Sequence, residues 1–217
     1  VEVSGPAAST FLQGLITNDM KGVADGRAIY AALLTPQGKV IHDFLIAAGP
    51  GDAFWLDCVR ANAADLAARL KKYKLRAKIT ITDRSPDLHV VANGKADLTF
   101  EDPRLAALGR RAITATPGDA QTDRHAYDEQ RLSLGVPDAA TDIPPETLFP
   151  LDCNFEELHG VAFDKGCYIG QELIARMKHR ATARRRMLPV TADAPLPPPG
   201  TTLKLGVTDI GELRGAI

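Results

Sequence analysis

Long apolar runs are missing from this sequence. No stretch approaches the length of a membrane span, and no signal-peptide pattern opens the chain, so a membrane-spanning helical protein is excluded as a reading. Excess charge of either sign is missing too. With 26 Lys and Arg against 27 Asp and Glu, the net charge is −1, so any binding to nucleic acid or to a membrane surface has to come from a local patch. Cysteine is scarce. Cys58, Cys153 and Cys167 are odd in number and include no Cys-x-x-Cys pair, which argues for free thiols in a reducing compartment. Neither Gly-x-x-x-x-Gly-Lys-Ser/Thr nor Gly-x-Gly-x-x-Gly occurs, which disfavours nucleotide enzymes. Cys153, His159 and Cys167 match no zinc spacing, and no metal held by the chain alone is expected.

What is present is a 45% hydrophobic composition over 217 residues, enough for one large domain or two small ones. Val1 to Val3 reads as a strand, so the natural N-terminus is expected to lie further upstream. Ser4-Gly5-Pro6 is expected to start a helix, with proline at its first position and Phe11, Leu12, Leu15 and Ile16 on its apolar face. Ile29 to Leu34 and Lys39 to Ala47 read as strands joined by a type I turn, Thr35-Pro36-Gln37-Gly38. Further strands are expected at Phe54 to Val59, Lys78 to Thr82, His89 to Ala92 and Arg111 to Ala115, with Asn93-Gly94 as a hairpin signal. An alanine-rich helix should end near Lys72, and another should run from Asp123 to Leu134, stopped by Gly135. The alternation lacks long parallel βαβ repeats, so the fold class is α+β.

The chemistry concentrates in Lys165-Gly166-Cys167-Tyr168-Ile169-Gly170-Gln171-Glu172. Ile169, Leu173 and Met177 recur every four residues, which predicts a helix. Gly166 then reads as the turn into it and Cys167 as a first-turn residue. In that place the helix dipole and Lys165 would favour the thiolate. A buried packing cysteine remains the other reading.

This octet resembles the signature of YgfZ-type proteins, relatives of the glycine-cleavage T-protein. Phe11 to Asp19, Leu33 to Lys39, Asp102-Pro103-Arg104 and Arg131 to Pro137 fall in the family's order as well. The resemblance implies interleaved ferredoxin-like subdomains with an appended β-barrel. That gives an α+β region over 1–186, with an inner subdomain at about 52–115. It leaves an incomplete barrel over 187–217, with the proline-rich 195–200 leading into it. It also implies a tetrahydrofolate-binding factor for iron–sulfur cluster assembly and tRNA modification. Its partners would be iron–sulfur carrier or client proteins, and its compartment the bacterial cytoplasm or, in a eukaryote, the mitochondrial matrix. Cys167 and Lys165 are then the expected reactive pair, and Cys167 could be one ligand of a cluster shared with a partner. Asn18, Asp19, Asp43, Arg131, Gln171 and Glu172 are the expected folate-site residues.

Two departures weigh against a folate-dependent aminomethyltransferase, the alternative activity. His42 stands where the T-protein has the first of two acidic residues, and neutral imidazole carries no negative charge. Ser133 and Leu134 occupy the neighbourhood of a pterin-recognising acid. By alternation, Asp43 is expected on one side of its strand with Ile41 and Leu45, and His42 on the other with Val40 and Phe44. Finally, Arg176 to Arg186 holds six Lys/Arg and His179 without an acid. This run is either a solvated face or an anion site beside Cys167 for a polyglutamylated folate tail, RNA phosphate or an acidic partner surface, with the folate tail or a protein preferred. It lacks the aromatics that base stacking needs, so no sequence-specific nucleic-acid binding is expected.

Overall fold

Strands buried on both faces need a packed layer on each side, and this requirement sets the architecture. Every residue of β2 (Ile29–Leu34) is buried, and every residue of β3 (Val40–Ala48) but Ala48. The computed structural model describes residues 1–92, 96, 98–115, 124–180 and 185–215. With β1 (Glu2–Ser4), β4 (Ala53–Asp57) and β5 (Thr80–Thr82), these strands form an antiparallel sheet of order β2-β3-β4-β1-β5. Helices α1 (Ala8–Gln13) and α2 (Ala63–Tyr73) cover one face, where Leu12, Leu66 and Leu70 meet Ala31, Leu33 and Phe44. On the other face Tyr30, Ala32 and Leu45 join a second core with Phe100, Ile113 and Phe155.

That second core draws on a three-stranded sheet of order β6-β8-β7, built from β6 (His89–Ala92), β7 (Leu98–Glu101) and β8 (Arg110–Thr114). Helices α3 (Arg124–Ser133) and α4 (Gln171–His179) and the hairpin β9 (Thr202–Leu205)–β10 (Thr208–Glu212) follow. The fold class is the expected α+β.

Several local expectations are corrected. Pro6 does not open α1, which begins at Ala8 after a turn closed by Ala8 N–H donating to the Gly5 carbonyl. Asn93-Gly94 lies outside the described residues, and the strands flanking it pair with β8 rather than with each other. Asp123 lies outside them too, whereas Gly135, at φ +68°, ends α3 in the left-handed form. The strict alternation of β3 is broken by a bulge. Leu33 pairs with His42 and Leu34 with Val40, so Ile41 is the extra residue. Ile41 therefore packs in the helix-side core beside Phe44, and Val40 in the opposite core with Leu45.

Candidate functional site

Asp43 lies on the wall of a cavity of about 500 Å³ between the two sheets, together with Trp55, Asp57, Arg104, Arg111 and Tyr127. Its strand places it opposite Ala32, and Tyr30, two residues earlier on the same pleat face, donates its hydroxyl to Oδ2 at 2.7 Å. Burial pushes the Asp43 carboxyl up to about 6. The Tyr30 hydrogen bond and the Arg104 guanidinium oppose that rise, and Asp138 adds to it. Burial likewise holds Tyr30 well above the ordinary phenol range.

The cations of the wall are already partnered. Arg104 forks onto buried Asp102 at 2.9 and 2.7 Å, and its guanidinium carbon sits 5.6 Å from the Tyr30 ring centre. Burial alone would raise Asp102, but Arg104 and then Arg111 hold it below the usual carboxylate range. Arg111 bonds Asp57 at 2.8 and 2.7 Å. Both arginines also donate to the Tyr127 hydroxyl, at 2.9 and 3.3 Å. No acceptor for the Tyr127 proton is found among the described residues. The site is thus a cavity with both apolar and charged walls, in which the Asp43 carboxylate is bonded by a phenol rather than by a cation. Cys58 also lines it, its thiol pushed up by burial to about 11.

Tyr30, Asp57, Arg111 and Tyr127 were not singled out by sequence. Tyr30 was findable, because pairing β2 with β3 puts it on the Asp43 face. The meeting of Arg104, Arg111 and Tyr127 from three elements leaves no mark in local sequence.

The other expected site residues lie off this wall. Asn18 donates Nδ2 to the carbonyls of Tyr30 and His159, and its Oδ1 accepts from Asp19 N–H. Asp19 caps a short 3-10 turn by accepting from Lys21 N–H. Arg131 is 2% exposed and bonds Asp128, Asp142, Thr141 and the Val136 carbonyl. It is the centre of a buried ion-pair knot.

The octet differs from expectation. Gly170, in the left-handed form at φ +83°, precedes α4, whose first residue is Gln171. Cys167 therefore stands in a loop ahead of the helix rather than in its first turn, and it is exposed. Gly166 shows no positive φ, and a Cβ there would meet nothing within 4 Å. Lys165 is buried and donates from Nζ to the carbonyls of Gln13, Ile16 and Asn18 at 2.7–2.8 Å. Burial pulls this ammonium down to about 8, opposed by Asp19. Gln171 Oε1 accepts from Tyr168 N–H at 3.3 Å, and exposed Glu172 pairs with Arg176 at 2.7 Å.

Acids from elsewhere answer much of the basic run. Lys178 pairs with Glu156, and Arg186 lies 3.6 Å from Glu157. Arg184 is outside the described residues. No described helix is long and apolar enough to cross a membrane.

Residues 1–92 match the GCVT N-terminal domain, and 184–217 match the CAF17 C-terminal beta-barrel domain. Glycine cleavage system aminomethyltransferase T from Bartonella henselae shares the fold, with a TM-score of 0.61 and 18% identity over 82% of this chain and 60% of that one. Mouse mitochondrial iron–sulfur cluster assembly factor IBA57 is 35% identical over 99% of this chain and 70% of its own length. The human protein is 34% identical over 93% and 66%. The Neurospora crassa homolog is 34% identical over 87% and 51%, so the chain spans about half of that relative. These relatives carry the name IBA57 rather than YgfZ, so the resemblance to YgfZ holds at the coarser level of the GcvT-like fold. By its likeness to the mouse protein, the chain belongs to the family of IBA57 iron–sulfur cluster assembly factors.

Proposed function

We propose that this chain is a YgfZ-like, tetrahydrofolate-binding factor that supports assembly or repair of iron–sulfur enzymes, tRNA-modifying ones included, with Cys167 as its working thiol. The observation that carries the folate part is Asp43. It is a buried carboxylate bonded by a neutral phenol rather than a cation, on the wall of a cavity of about 500 Å³. A pterin presents N–H donors, which a carboxylate accepts as charge-assisted bonds. Asp43 would hold that edge and Tyr127 would donate to an acceptor of the ligand. Bound tetrahydrofolate would supply a reduced pterin able to carry a one-carbon unit. Of the other expected contacts, the Asn18 amide and the Arg131 guanidinium are engaged by protein groups, which leaves Asp43 as the main determinant.

The assembly part is supported by the relatives, which are named iron–sulfur cluster assembly factors, and by the exposure of Cys167. Iron–sulfur carrier or client proteins would meet the chain at that loop. Arg180 and Arg185 have no acidic partner among the described residues and could receive an acidic partner surface or a folate glutamate tail. The compartment would be the mitochondrial matrix, as in the relatives' names, or a bacterial cytoplasm. Residues 1–186, with an inner subdomain at 52–115, would form the folate-binding region, and 187–217 would belong to the barrel.

The aminomethyltransferase reading is weaker, because His42 turns away from the cavity and bonds Asp65 on α2 at 2.7 Å. Calorimetric titration with tetrahydrofolate, scored beside client-enzyme activity, tests the proposal. Asp43→Ala should abolish binding, and Cys167→Ser should lower client activity while folate affinity stays near wild type. Equal folate affinity in wild type and Asp43→Ala would sink the placement.

A further inference from the structure

We propose that Lys165 and Gly170 are positioning residues that clamp the loop on either side of Cys167 and hold the thiol outward in a fixed place. This rests on the reading of Cys167 as the working thiol and adds what the surrounding residues of the octet do for it. Lys165, two residues before the cysteine, sends its ammonium into the segment that ends α1. There it takes the carbonyls of Gln13, Ile16 and Asn18. A helix end leaves carbonyls without intrahelical partners, and three converging acceptors match the three donors of an ammonium. With its donors used in this way, the ammonium serves as an anchor.

The second clamp is steric. Gly170, three residues after the cysteine, rests on the β2–β3 turn. A Cβ there would lie 2.7 Å from the Thr35 carbonyl oxygen and 3.0 Å from Gly38 Cα, and the left-handed φ disfavours any side chain. Between the clamps, buried Tyr168 carries its ring 4.9 Å from the Lys165 ammonium, so the two ends of the loop brace each other. Only Gly166 and Cys167 are left outward. Gly166 has open space around it, so the fold makes no steric demand for glycine there. A close-approaching partner would make that demand.

The test places a nitroxide on Cys167 in a Cys58→Ala background, with Cys153 fully buried and unlabelled. The parent spectrum should be dominated by the slow component. Lys165→Met and Gly170→Ala should each lose it, while Gly166→Ala should keep it. If one clamp variant fails to fold by circular dichroism, the other decides. A mobile parent spectrum, or clamp variants that overlay the parent, would overturn the clamps. Client maturation then separates the two readings. Lys165→Met should lower it when Cys167 is present and add no further loss on a Cys167→Ser background. An equal further loss on that background means the lysine acts independently, and the proposal fails. Full maturation by Cys167→Ser alone would instead sink the underlying reading of the thiol, whatever the spectra show.

Discussion

His42 and Asp43 are neighbours in the chain but belong to different layers of the protein. His42 Nε2 meets Asp65 Oδ2 on α2 at 2.7 Å, whereas Asp43 receives the Tyr30 hydroxyl at 2.7 Å on the cavity side. One residue of pleat separates a structural tether from a cavity-facing carboxylate. His42 Nδ1 is buried without a partner among the described residues, and burial lowers the imidazole pKa despite Asp65.

Asp43 should cost the fold stability at neutral pH. Its folded pKa, about 6, lies above the ordinary value of 3.8. The protonated form is therefore favoured by folding, and that stability is lost as pH rises from about 4 through 6. A shift of this size is worth roughly 3 kcal/mol. Asp43→Asn should accordingly unfold at higher denaturant at pH 7.5 than wild type, and at nearly the same denaturant at pH 4. An equal effect at both pH values would contradict the burial argument.

His42 should act in the opposite sense. Its depressed pKa means the unfolded chain binds the extra proton, so stability from this group rises as pH climbs through the imidazole range. Melting temperatures of His42→Gln between pH 5 and 7.5 should show a flatter slope than wild type. An unchanged slope would place the acid sensitivity elsewhere.

Arg131→Met should be costly to the fold and silent toward ligand. It strips buried Asp142 of its cation, a change worth about 3–5 kcal/mol. The same carboxylate accepts from Gly215 N–H, so the C-terminal segment should loosen too. Denaturant titration reads the loss. A variant of normal stability with weakened folate binding would return Arg131 to the ligand site.

Thiol labelling of the native protein should proceed in a set order. Cys167 is exposed and should react first. Cys58, half-buried with its thiol pushed up to about 11, should lag by at least tenfold, given the scarcity of thiolate. Cys153, 0% exposed, should wait for unfolding. Peptide mapping after brief alkylation distinguishes the three, and early modification of Cys153 would refute the packing described for it.

The periodic elements were legible because burial writes its period into sequence. The β6 boundaries, the span of α3 to within a residue or so, and the stop at Gly135 were all readable. The Ile41 bulge was not, because an extra β-branched residue in an apolar run looks like any other strand residue. The helix after the octet starts later than the periodicity through Ile169 predicts. The second glycine, not the first, marks its start, and only the left-handed φ of Gly170 reveals this. The strand pattern alone does not separate Asp43 from His42, and the family resemblance is what singles Asp43 out, whereas Arg111 and Tyr127 join it only through tertiary convergence. Lys165 was recognised as important, but its direction into the α1 segment depends on residues about 150 positions away.

The β2–β3 hairpin is a foundation common to the two proposed sites. One of its strands carries Asp43 into the cavity, and its turn is the seat of Gly170. Whoever edits this hairpin disturbs both tenants at once, so a variant there with two defects says nothing about whether folate and thiol communicate. Separation-of-function alleles have to be sought off it, on the cavity wall formed by Arg111 and Tyr127 or at Gly166 itself.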